Sequence, residues 1–274
     1  MSKKILIIGK NSYLANGISE YFPSASFISH KEIGSSSDLI KNADLILNFS
    51  IQPEFSKEIL KKEDIIDYQI CNTIKDTETK FIFISSRKVY GSNSELNYYS
   101  ENDELNPMDF YSENKILTEK CLTDLIGDKL TVLRVSNIIG EPIFRNNYNI
   151  FMGWISQSMS KNGKLMINKN PYAVKDFITK KYFHSGLKLL SQKQLPGVLN
   201  FGSELNIPVI EILSNIVGEE NVIIETPTTE SDQFLLDCKL LHNLIPPLTK
   251  EDLIKQCQEN QAIFKTLSKI QVKN

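Results

Sequence analysis

Apolar residues come in short bursts along this chain, separated by stretches whose apolar positions recur every three to four residues. "KILIIG" (4–9) is a continuous apolar run closed by glycine, the pattern of a strand buried on both faces of a parallel sheet. The pattern predicts a helix over 13–22, a second strand over 25–29, a short crossover in "DLIKN" and a third strand over 44–50. It then predicts a long helix from Glu54 to Thr77, a strand over 81–85, a helix from Tyr111 to Ile126 and one strand over "LTVLRVSNIIG" (130–140). Strands and helices alternating at this spacing predict an α/β fold with a doubly wound parallel sheet.

The second half is less regular. Helical periodicity covers 149–160 and 181–192, and "PVIEILSNIVG" (208–218) reads as a capped helix. Short strands are predicted over 164–168, 197–203 and 221–226, with a helical tail after "LTKEDLIKQ". There is no internal repeat and no low-complexity linker. The expected organisation is a dinucleotide-binding core over 1–140, to which 172–202 return, and a smaller C-terminal substrate-binding lobe of 141–171 and 203–274.

Composition narrows the function classes. With 274 residues and 41% hydrophobic content the chain can bury a large core. A net charge of -2 with scattered basic residues argues against a nucleic-acid partner. No apolar run approaches the roughly 20 residues of a membrane span, so no membrane partner is expected. Cys71, Cys121, Cys238 and Cys257 are scattered without CxxC or histidine partners, which implies free thiols, no metal site and a cytoplasmic location.

Candidate chemistry begins at "GKNSYLANG", where the first strand opens into the first predicted helix. A Gly-x-x-Gly-x-x-Gly turn there lets backbone N–H groups approach a pyrophosphate. Gly9 keeps its place, while the small residues Ser12 and Ala15 fill the other two; Gly9, Asn11, Ser12, Tyr13 and Leu14 are the candidate cofactor contacts. An acidic residue ending the second strand would favour NAD(H). The chain has Ser29, His30 and Lys31, with Glu32 one place later, so NADP(H) is favoured, NAD(H) is the alternative, and a plain solvated loop is the third reading. Asn48, Phe49 and Ser50 end the third strand, where they would flank the same cofactor.

"FIFISSRKVYG" (81–91) ends an apolar run in hydroxyls, and "YSENK" (111–115) sets a tyrosine and a lysine four apart. A free phenol has a pKa near 10, too high for efficient proton transfer at neutral pH. A lysine at i+4 lies on the same helix face, and its charge is expected to bring that value down. Tyr111 is thus the candidate acid, Lys115 its tuner and Ser86 the hydroxyl that orients the substrate oxygen. Ser85, Tyr111 and Lys115 are also assigned to the cofactor, and Arg87 to the substrate.

"SSRKVYG" followed by "PMDFYSENK" resembles the extended short-chain dehydrogenase/reductase family of NAD(P)-dependent nucleotide-sugar epimerases, dehydratases and reductases. The likeness covers nearly the whole chain and implies a Rossmann-like core. "LRVSNIIGEP" (133–142) resembles a family segment whose Asn contacts the sugar nucleotide, here Asn137. "VKDFI" (174–178) resembles a segment whose Arg holds a substrate phosphate, and Lys175 stands there instead. "LNFGS" (199–203), "LLDCKLL" (235–241) and "PPLTKEDLIK" (246–255) resemble C-terminal landmarks of the family. The family's third strand is abridged to "GSSSDLIKN", and Arg87-Lys88 replace the acidic pair of its 4,6-dehydratases. The resemblance implies NADPH-dependent reduction of a 4-keto-sugar nucleotide; a nucleotide-sugar 4-epimerase and a non-catalytic cofactor-binding scaffold are the alternatives. It also implies a homodimer paired through the Glu54–Thr77 and Tyr111 helices as a four-helix bundle, with a monomer as the alternative. Trp154 belongs either to packing or to a sugar pocket, His184 to structure, and Arg145 and Tyr148 to the segment that shapes the substrate pocket.

Overall fold

The apolar runs of the first half are the strands of a six-stranded parallel sheet in a computed structural model, which describes residues 3–92, 97–143, 150–225 and 232–271. In chain order the first elements are β1 (Ile5–Ile8), β2 (Ser26–Ile28), α1 (Ser37–Lys41), β3 (Leu45–Asn48), α2 (Ile66–Ile74) and β4 (Lys80–Ser86). The middle holds β5 (Tyr98–Tyr99), α3 (Phe110–Ile126), β6 (Leu130–Val135), β7 (Asn137–Ile139) and α4 (Phe151–Asn162). Next come β8 (Leu165–Ile167), β9 (Val174–Lys175), β10 (Phe177–Thr179), α5 (Lys180–Leu190) and β11 (Val198–Phe201). The chain closes with β12 (Ile207–Pro208), α6 (Val209–Val217), β13 (Val222–Ile224), β14 (Leu235–Leu236), α7 (Lys239–His242) and α8 (Lys250–Gln271).

The sheet runs β11-β6-β4-β3-β1-β2. Successive residues feed opposite cores, as the two-residue strand period requires. Leu6, Ile46, Phe81 and Phe83 pack with Ile70 and Ile74 of α2 and Leu122 of α3. Ile7, Leu47, Ile82 and Leu133 pack on the other face with Phe183 and Leu187 of α5. β2 is the sheet edge, because the abridged "GSSSDLIKN" forms only the five-residue α1 before the chain returns as β3.

Three predicted elements are corrected. The helix over 13–22 is a series of turns with one 3-10 turn at Ile18–Glu20. Gly17 takes a left-handed φ of 86°, and the Leu14 carbonyl is captured by His184 Nε2 at 2.6 Å instead of a helical N–H. The Glu54–Thr77 helix survives only as α2, preceded by 3-10 turns at Pro53–Ser56 and Lys62–Asp64. Buried Asn114 explains the break: it donates to Phe55 O and Glu58 O and accepts from Leu60 N, taking groups a helix would pair internally. The strand over 130–140 divides at Ser136, β6 staying in the main sheet and β7 pairing with β10. Elsewhere the predicted elements are present with ends moved by a few residues.

Candidate active site

β4 delivers Ser85 and Ser86 to the carboxyl edge of the sheet, where the chain turns into a 3-10 turn over Arg87–Tyr90. Ser86 caps that turn, its hydroxyl accepting from Lys88 N at 3.2 Å. α3 starts at Phe110 with Asp109 as N-cap, in a reciprocal box with Ser112. Tyr111 therefore sits in the first turn of α3 and Lys115 one turn further on, as the spacing predicts. Ser86 is near enough to the Tyr111 phenol for its hydroxyl to act on the phenol's pKa.

The electrostatics differ from the sequence expectation. The Tyr111 phenol is pushed up to about 12, mainly by burial; the Ser86 hydroxyl lowers it and the Asp109 charge raises it. Lys115 does not offset that burial. Its Nζ donates to Ile84 O at 2.7 Å and sits 4.6 Å from the centre of the Phe83 ring and 5.4 Å from that of Phe55. Burial brings the lysine itself down to about 8, against the opposing pull of Asp67 and Glu119. Lys88, ion-paired to Asp109 at 2.9 Å, lies 5.6 Å over the Tyr111 ring centre.

Ser85 points elsewhere. Its hydroxyl donates to the carboxylate of buried Glu119, which also holds Arg134 Nη2 at 2.8 Å. Arg134 reaches the Tyr90 hydroxyl at 3.0 Å, and Tyr90 donates to Asn200 at 2.7 Å, so this network ties β4, α3, β6 and β11 together behind the site.

The turn after β1 is the candidate dinucleotide loop. Gly9 has φ +85°, and a Cβ there would lie 2.5 Å from Ser50 N, so the β1 turn passes hard against the end of β3. Among the described residues the N–H groups of Asn11, Tyr13 and Leu14 donate to no acceptor, which leaves three donors for anionic oxygens. Ser12 is committed to the turn, its hydroxyl accepting from Ala15 N. The Tyr13 hydroxyl donates to Glu141 O at 3.0 Å, with Lys180 stacked 4.7 Å from the ring centre and ion-paired to Glu141. Asn48 accepts from both Ser50 N and the Ser50 hydroxyl, while Phe49 is in the core against Phe183. At the end of β2, His30 and Lys31 are exposed. Glu32 turns back to accept Ser29 N at 2.7 Å and pairs with Lys10 at 3.0 Å, bonds that hold its carboxyl down to about 2.

The candidate substrate residues meet at a carboxylate that sequence reasoning missed. Asp232 takes Arg87 Nη2 at 2.9 Å and Lys175 Nζ at 2.7 Å, and the Arg87 guanidinium lies 3.8 Å over the Phe234 ring. The two cations hold Asp232 well below the usual carboxylate range, against the cost of burial. No motif surrounds "SDQF", so only the fold reveals this meeting. Asn137 Nδ2 donates to Asp176 O at 3.1 Å, beside the same segment as Lys175. Trp154 is partly exposed on α4 next to Phe151, and His184 is buried in its bond to Leu14. Arg145 and Tyr148 lie outside the described residues. Among the described residues no helix is long and apolar enough to cross a membrane, and all four cysteines are free.

Comparison with known proteins shows the family and the fold. A family described as "NAD dependent epimerase/dehydratase family" matches residues 33–200. No curated protein matches the chain. A UDP-N-acetylglucosamine 4-epimerase from Methanobrevibacter ruminantium M1, solved with UDP-N-acetylmuramic acid, superposes with a TM-score of 0.77 at 16% identity, covering 97% of this chain and 99% of that one. A dTDP-glucose 4,6-dehydratase from Bacillus anthracis str. Ames, solved with NAD, gives 0.76 at 16% identity over 97% of each chain. A UDP-glucuronic acid 4-epimerase from Bacillus cereus, also with NAD, gives 0.73 at 16% identity over 96% and 99%.

Proposed function

The chain belongs to the NAD dependent epimerase/dehydratase family, a family of enzymes, and from that premise we propose that it reduces a 4-keto-sugar nucleotide with NADPH. The observation that carries this reading is the buried Tyr111 phenol beside Ser86, held protonated with a pKa of about 12. A protonated phenol is a donor, which is what an alkoxide formed by carbonyl reduction demands. A bound nicotinamide supplies the hydride. Ser86 orients the ketone oxygen, and Tyr111 gives up its proton at that oxygen. Arg87 and Lys88 follow Ser86, so no carboxylate adjoins it to drive dehydration.

Arg87 and Lys175 share one carboxylate, leaving one positive charge in excess for a substrate diphosphate, with Asn137 nearby for the nucleotide sugar. Residues 141–171 and 203–274 are read as the substrate lobe and 1–140 with 172–202 as the cofactor core. The preference for NADPH is supported by Glu32, whose carboxylate is spent on Ser29 and Lys10, and by His30 and Lys31, exposed for a 2′-phosphate. Four free cysteines support a cytoplasmic location. Pairing of two copies through α2 and α3, which pack side by side, completes the reading.

A second reading is a 4-epimerase, favoured by the full-length likeness to two solved 4-epimerases. Purified protein mixed with NADPH and a panel of 4-keto-sugar nucleotides decides between them. The reductase consumes one NADPH per sugar. Absence of that consumption, with NAD retained through purification and interconversion of 4-epimers, replaces it with the epimerase. Light scattering tests the dimer.

A further inference from the structure

Asp67 belongs to none of the motifs above. It stands in the first turn of α2, only 5% exposed, with its Oδ1 accepting Asn48 Nδ2 at 2.7 Å. Asn48 in turn accepts from Ser50 N at 3.0 Å, so a hydrogen-bonded chain runs from Asp67 to the residue that meets Gly9. Asn48 is registered beside Phe83 in the β3–β4 pair, and Lys115 Nζ, on a residue 6% exposed, sits 4.6 Å from the Phe83 ring centre, so carboxylate and ammonium share one buried pocket without a direct ion pair, each the largest opposite charge acting on the other.

Other groups around this pair are already committed. Glu119, one turn along α3, is held by Arg134 and by the Ser85 hydroxyl. Tyr111 is a neutral phenol whose ring centre lies 5.7 Å from Nζ. Cys71, one turn along α2, is a buried thiol raised well above its ordinary value by burial and by the Asp67 charge, with Lys129 acting in the opposite sense. Ring faces attract an ammonium but carry no net charge. A lysine buried without a counter-ion sheds its proton.

We propose that Asp67 is a positioning residue of the site: its carboxylate, clamped by Asn48, is the counter-ion that keeps Lys115 an ammonium against the Ile84 carbonyl. This rests on the reading of Lys115 as part of the reacting site and deepens it. Burial raises the Asp67 pKa, and the Lys115 charge and the Asn48 bond oppose that rise, so ammonium and carboxylate sustain each other.

The experiment is a pH titration of Lys115 Cε in full-length protein grown with 13C-lysine, its signal assigned by loss in Lys115→Met. In wild type the midpoint is expected at about 8. In Asp67→Asn, which keeps shape and removes charge, it should fall by about 1 to 3 pH units. Asn48→Ala, which removes only the clamp, should move it in the same direction by less. An unchanged midpoint in folded Asp67→Asn overturns the proposal. Should that variant not fold, an unchanged midpoint in Asn48→Ala does so. The titration needs neither substrate nor cofactor, so its outcome is independent of whether a keto-sugar is the substrate.

Discussion

Lys115 holds its Nζ 5.7 Å from the centre of the Tyr111 ring and spends a proton on Ile84 O, 2.7 Å away, while the phenol lies beside Ser86. The two side chains share a helix face without sharing a hydrogen bond. Tyr111→Phe should therefore disturb neither Lys115 nor the fold, and should cost turnover by about 10²- to 10⁴-fold, the usual share of a general acid. Initial rates with NADPH and the responsive keto-sugar measure this, alongside fluorescence titration of the cofactor. Full turnover in the variant would remove Tyr111 from the mechanism.

The pH dependence follows from Lys115. Its proton is lost as pH rises through about 8, so a rate that needs the ammonium should fall on that basic limb. Stability moves the opposite way. The folded pKa lies below the unfolded value of about 10.4, so between those two values the unfolded chain binds more protons and stability rises with pH. The Lys115 contribution is a full penalty below pH 8 and is relieved toward 10.4, as denaturant midpoints across that window would report.

Gly9→Ala meets two obstacles. The new Cβ would stand 2.5 Å from Ser50 N and 2.8 Å from Phe49 C, both backbone atoms, at a φ of +85°. Left-handed strain and overpacking each cost about 1–3 kcal/mol. The expected result is a fall of about 2–6 kcal/mol in urea unfolding, with weaker cofactor binding because the β1 turn is pushed off the end of β3.

Asp232→Asn frees two cations at once. Arg87 and Lys175 lose their shared carboxylate, which should lower stability by about 1–3 kcal/mol, since the pairs are only partly buried. The same change removes the negative charge a diphosphate would meet. Calorimetry with UDP or dTDP should show tighter binding than wild type; unchanged or weaker binding would place the diphosphate elsewhere.

Glu119→Gln leaves the Arg134 guanidinium, 5% exposed, without its counter-charge. Breaking one partner of such a pair costs about 3–5 kcal/mol. A thermal or urea melt measures it, and a loss under about 1 kcal/mol would mean that the Tyr90 and Glu101 acceptors already satisfy Arg134.

Local pattern carried much of this fold. "KILIIG" and "FIFISS" read as strands because both faces of a parallel sheet are covered, and a run that is apolar on every residue has few other homes. Tyr111 and Lys115 could be paired on paper because four residues return to the same helix face. The edge position of β2 was not predicted; the structure sets it, the chain between β2 and β3 holding only the five-residue α1.

Long-range capture was not legible. Asn114 unmakes the predicted Glu54–Thr77 helix from 54 to 59 residues away, and His184 takes the Leu14 carbonyl from 170 away. Nothing near those segments announces either bond. Asp232 likewise binds Arg87 across 145 residues, in a stretch with no motif.

The amino-acid order by itself determined the strand and helix alternation and the Ser86, Tyr111 and Lys115 spacing, because periodicity and side-chain chemistry act over one or two turns. Only the tertiary structure decided the charge states in the site. A phenol and an ammonium take their pKa values from burial and from carboxylates such as Asp67 and Asp109, and desolvation is a property of the packed molecule.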